Sequence, residues 1–121
     1  MNAVSVGGWL GFLAVALGAF GAHALRARLS AAQQGIYETA VLYHFIHSLA
    51  LVAVGCVAWL RPSAAPLCRS AGLCFGFGVL LFSGSLYLLA ISGTRWLGAI
   101  TPIGGLLFLA GWACLALAAR G

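Results

Sequence analysis

A chain of 121 residues that is 64% hydrophobic and 6% charged, with a mean hydropathy of +1.11, cannot cover a water-facing surface with polar groups. Lipid must be its solvent. The +5 balance comes from six arginines and one glutamate, an inventory that leaves no P-loop lysine and no carboxylate pair for acid/base work.

Four runs are almost free of charge: Val4–Ala24, Ile36–Leu60, Ser70–Ile91 and Pro102–Ala119. Each is close to the ~20 residues a helix needs to cross about 30 Å of hydrocarbon. The pattern predicts an all-α, integral membrane four-helix bundle, up-and-down, with one domain over residues 1–121 and short loops.

In the first span Gly7, Gly11, Ala14, Gly18 and Ala22 form a small-residue stripe against which a neighbouring helix can pack closely. The run ends in Ala22-His23-Ala24, which looks like a cleavage site. It is long for a signal-peptide core and lacks a basic flank, so it reads as a retained span. Ser30 and Gln33 have capping-box spacing and predict a helix start at the membrane interface, ahead of the second span.

The second span carries the polar patch around which the others are arranged. At about 100° per residue, Thr39, Tyr43 and His47 form one stripe with His44 at its edge, together spanning roughly 140°. Glu38, the only acidic residue, points away from His47.

Loop two, from Arg61 to Arg69, contains Pro62 and Pro66 and reads as a turn that continues neither helix. The third span places Gly72, Gly76, Ser83 and Tyr87 on one stripe, and a loop over Ser92–Ile100 carries Arg95 and an interfacial Trp96. Thr101-Pro102 reads as a helix cap followed by proline at the first position. Gly104, Gly111 and Ala118 then repeat at sevens along the fourth span.

All six arginines fall at span ends, where a guanidinium reaches lipid headgroups, and their scatter excludes a nucleic-acid patch. Three lie on each side, so the positive-inside rule gives a tie. Cys56, Cys68, Cys74 and Cys114 show neither a CxxC pair nor zinc-site spacing, and Cys56, Cys74 and Cys114, inside spans, read as small apolar side chains.

With alternating helices, His23, Thr39, Tyr43, His44, His47, Ser83, Ser85, Tyr87 and Thr101 lie from mid-membrane towards loops one and three, while the cysteines lie in the other half. One end of the bundle is polar inside and the other dry. Three readings follow. The polar groups hydrogen-bond across helices and set their register, in a structural or partner-binding protein rather than an enzyme. Alternatively, His23 and His47, with His44 as a spare ligand, hold haem or a metal. Thirdly, hydroxyls and imidazoles pass a proton or small solute, although the dry half supplies no second acid to complete a relay. A membrane protein partner or a homo-oligomer is compatible with the glycine stripes.

The segments LGAFGAHAL (Leu17–Leu25), ETAVLYHFIHSLAL (Glu38–Leu51), LFSGSLYLLAISG (Leu81–Gly93) and ITPIGGLLFLAGW (Ile100–Trp112) resemble, in order, the domain of unknown function 423 family, related to transmembrane protein 256. The match covers His23, then Thr39, Ala40, Tyr43 and His47, then Ser83 to Tyr87, and finally Thr101 to Gly105. The resemblance implies four membrane-spanning helices in the bacterial inner membrane, with both termini cytoplasmic. It does not supply a biochemical activity.

Overall fold

The computed structural model describes residues 2–120, and they are almost entirely helical. Helix α1 (Ala3–Phe20) is capped by Asn2, whose Oδ1 accepts the Ser5 amide at 2.9 Å, and it runs into a π-helical turn, Gly21–Leu25. Helix α2 (Ala31–Leu60) opens with the expected capping box. The Gln33 amide donates to the Ser30 hydroxyl at 3.1 Å and the Ser30 amide to the Gln33 side chain at 2.9 Å.

After α2 the chain departs from the predicted turn. Pro62 begins a short 3₁₀ turn, Pro62–Ala64, and Pro66 sits in the first turn of α3 (Ala65–Gly78). A first turn has unbonded amides in any case, so Pro66 sits inside α3 without breaking it, whereas α2 does end just before Pro62, with Arg61 out of the helical region at φ -134°, ψ 78°. A second π turn, Val79–Ser83, leads into α4 (Gly84–Ser92), and the three segments make one long third helix.

The third loop is also shorter than expected. Gly93 closes α4 in the left-handed region at φ 71°, a conformation that suits a residue without Cβ. A 3₁₀ turn at Arg95–Ala99 follows, and α5 (Thr101–Ala119) begins after it. Thr101 is therefore not the cap. The chain enters α5 already wound, with Ile100 helical at the capping position, and the threonine hydroxyl is free to bond elsewhere.

Four helical stretches are long and apolar enough to cross a membrane: Ala3–Leu25, Ala31–Leu60, Pro62–Ser92 and Arg95–Ala118. Helix α1 packs along α2 and α5 along the third span, while α2 and the third span hold the middle. The apolar core lies there, around Leu51, Val54, Phe75, Val79 and Phe108.

Close packing rests on small residues. The fourth-span stripe is buried at Gly104, Gly111 and Ala118, as its spacing predicts. In the first span Gly7 and Ala14 are buried, but Gly21 continues the stripe and Ala22 is exposed. A step of seven from Ala14 returns within about 20° of the same face, whereas a step of eight overshoots by about 80°. In α3 the buried positions are Cys68, Ala71, Phe75 and Gly78, while Gly72 and Gly76 are only partly covered. Helical rotation explains this too. Phe75 and Ser83 stand eight residues apart, about 80° out of phase in a straight α-helix, and the π turn winds in the extra residue. Both are fully buried as a result.

At Gly104 the backbones of α5 and the third span come close enough that a Cβ would lie 2.8 Å from the Cα of Phe82. Gly104→Ala is therefore expected to cost about 1–3 kcal/mol by overpacking. Gly84→Ala, where a Cβ meets nothing within 4 Å, should be neutral or stabilising by up to ~1 kcal/mol. Thermal unfolding of the two variants in one detergent compares them directly, and equal melting temperatures would contradict the packing described here.

Candidate functional site

Helix α2 presents its polar groups to three neighbours at once, so the buried arc is wider than a single stripe. Tyr37, Ala40, His44, His47 and Ser48 are buried, Tyr43 is at the edge, and Thr39 is exposed with its hydroxyl bonded back to the Gly35 carbonyl at 3.0 Å.

His47 is the most constrained of these side chains. Its Nδ1 lies 2.7 Å from the Tyr43 carbonyl and its Nε2 is 3.0 Å from the Trp112 indole nitrogen. A carbonyl can only accept and an indole N–H can only donate, so Nδ1 carries the proton and the Nε2 lone pair receives Trp112. The ring stacks on Phe108 with centroids 3.5 Å apart and planes 7° from parallel, and Phe75 and Trp112 meet it from the sides.

His44 faces the third span, with Nδ1 2.8 Å from the Tyr87 hydroxyl. Its Nε2 is buried and, among the described residues, has no hydrogen-bond partner. Tyr87 in turn meets Tyr37 edge-on, at 5.3 Å between centroids. Tyr37 fits over Gly21 of the first span and donates to the Leu17 carbonyl.

The remaining hydroxyls tie the spans together. Ser83 donates to the Ala40 carbonyl at 2.8 Å, and Ser85 meets Thr101 at 2.6 Å. The Tyr43 ring lies 4.6 Å from Phe82 and stacks towards Phe108.

The structure does not bring His23 and His47 together. His23 is exposed in the first π turn, its Nδ1 2.8 Å from the Ala19 carbonyl, on a span that packs against α2. His47 faces the third and fourth spans. Among the described residues, no group of three or more His, Cys, Asp and Glu could hold a metal ion.

A comparison with known families matches residues 17–105 to the model described as "Protein of unknown function (DUF423)". The chain belongs to this family. It is similar to a UPF0382 membrane protein of Staphylococcus haemolyticus, 46% identical over 103 residues, covering 85% of this chain and 82% of the relative. It is also similar to the UPF0382 inner membrane protein YgdD of Escherichia coli K12, 43% identical over 105 residues, 87% of this chain and 79% of that one. The UPF0382 membrane protein YwdK of Bacillus subtilis is 40% identical over 107 residues, 88% of this chain and 86% of the relative. No solved structure matches. With four candidate spans, the chain is a multi-pass protein of the bacterial inner membrane.

Periodicity did not reveal the aromatic shell of His47. Phe75, Phe82, Phe108 and Trp112 look like ordinary lipid-facing or core residues in an apolar run. One signal was present. Trp112 lies well inside its span, where an indole N–H needs a partner, rather than at the interface where tryptophan is usual.

A double-mutant cycle with His47→Phe and Trp112→Phe should give a coupling of about 0.6 kcal/mol, at most ~1.7, as for other interhelical hydrogen bonds in membranes. Reversible unfolding in detergent measures it. Strictly additive losses would show that the 3.0 Å contact contributes nothing.

Proposed function

We propose that this chain is a structural, partner-binding component of the membrane, and that its buried polar groups form a register lock rather than a catalytic or cofactor-binding centre. The saturation of His47 carries the reading. Metal or haem ligation needs the lone pair of a neutral imidazole. On His47 that lone pair already accepts the Trp112 N–H, and the other nitrogen donates to Tyr43. The neighbouring pairs, His44 with Tyr87, Ser83 with the Ala40 carbonyl and Ser85 with Thr101, likewise join one span to another. On the loop-two side of His47 and Ser48, the α2 core residues are Ala50, Leu51 and Val54, which offer a proton no next station.

The partner on this reading is another membrane protein or a second copy, received on the outer faces of the first and fourth spans. Large apolar side chains stand exposed there, among them Trp9, Phe12, Leu106 and Leu109.

Purified in mild detergent, the protein should show no haem absorption and only substoichiometric metal, and His47→Ala should change neither while lowering the melting temperature. A haem band lost in His47→Ala would overturn the reading. A photoreactive residue at Leu109, activated in native membranes, should give discrete adducts heavier than the monomer; crosslinks to lipid alone would count against partner binding.

A further inference from the structure

Between α1 and α3 lies an open groove of about 440 Å³, with Val6 and Leu10 on one wall, Gly72, Gly76 and Leu80 on the other, and Arg69 at its end. We propose that this groove holds one acyl chain of an anionic phospholipid, whose phosphate rests on the Arg69 guanidinium. The site lies apart from the polar lock and follows from a different set of observations.

Charge comes first. Arg69 is exposed and, among the described residues, makes no hydrogen bond or ion pair. The only acidic side chain in the sequence, Glu38, lies near the start of α2, whereas Arg69 follows the end of that helix, on the other side of the membrane. An exposed cation with no partner among the described residues, at the end of an apolar trough, complements an anionic head joined to a hydrocarbon tail.

Length comes second. Arg69 and Leu80 are eleven residues apart, about 16 Å at 1.5 Å per residue. That is close to half of the ~30 Å hydrocarbon core, the depth of one leaflet. On the facing helix the wall ends at Leu10, also part-way through its span. A transmembrane helix would need a groove running the whole thickness, whereas an acyl chain needs only this half.

The chain itself leaves the space open. A Cβ on Gly76 would meet nothing within 4 Å, and one on Gly72 would reach only the ends of Leu51 and Val54 at 3.9 Å. Among the described residues, these two glycines therefore pack against no neighbouring backbone. They keep the groove wide.

The test uses full-length wild type, Arg69→Gln and Gly76→Leu, each incubated in detergent with equal amounts of dioleoyl phosphatidylglycerol and dioleoyl phosphatidylcholine and read by native mass spectrometry. Wild type should retain one phosphatidylglycerol about fivefold over phosphatidylcholine, the ratio that corresponds to roughly 1 kcal/mol per basic residue near the membrane surface. Arg69→Gln should lose the preference but keep lipid, whereas Gly76→Leu, which fills open space, should lose both adducts and still melt cooperatively. Equal retention of the two lipids by wild type, or unchanged adducts in Gly76→Leu, would overturn the proposal. So would a dimer that disappears in Gly76→Leu, which would assign the groove to a second copy.

Discussion

Lipid offers a polar side chain no alternative partner, and this constraint governs how the interior is built. In water, His47 or Trp112 could lose a neighbour and bond to solvent; in hydrocarbon each must find its complement within the protein. The cluster around α2 satisfies nearly all of its groups by crossing between spans. His47 takes Trp112, His44 takes Tyr87, Ser83 takes a carbonyl of α2, and Ser85 takes Thr101. Such bonds require helices that come close together. The glycine contact between α5 and the third span at Gly104 provides that approach, so the small residues and the polar lock depend on each other.

The two π turns tune this arrangement. The turn at Val79–Ser83 lies between an aromatic stretch that packs on His47 and a hydroxyl stretch that packs on α2 and α5, and it brings both inward on one helix. The same shift turns Gly72 and Gly76 away from the centre of the bundle and towards α1. The turn at Gly21–Leu25 ends the first span just past Tyr37, which bridges to the Leu17 carbonyl over the bare Cα of Gly21.

Much of this was legible in the sequence where one principle acted alone. Hydropathy and length disclosed four spans, the Ser30–Gln33 spacing disclosed a capping box, and the sevens of the fourth span disclosed its buried glycines. Reading failed where a uniform 100° per residue was carried through a π turn, since nothing in Val79–Ser83 announces one. It failed again at Pro66 and Thr101, because a proline can open a helix as readily as end one, and a preceding 3₁₀ turn can make a cap unnecessary. Positions His44, His47, Ser83, Ser85 and Tyr87 could be placed in one half of the membrane by spacing, but their partners could not. Which imidazole meets which hydroxyl depends on the relative rotation of helices, and that is set by contacts such as Phe108 on His47, distant in sequence.

The two halves of the molecule consequently differ in how they hold together. Towards loops one and three, directional bonds fix the rotation of each helix, and a change there breaks a specific pair. Towards loop two the core is Leu51, Val54, Cys68, Ala71 and Phe75, held by packing, with one inter-span bond at the rim from Arg61 to the Ala119 carbonyl at 3.2 Å, and α1 and α3 stand apart across the groove beside Arg69. A core without directional bonds permits sliding and small separations that a hydrogen-bonded core resists. The polar end therefore acts as the fixed frame. The apolar end, with fewer directional bonds, is the one whose geometry surrounding lipid can adjust.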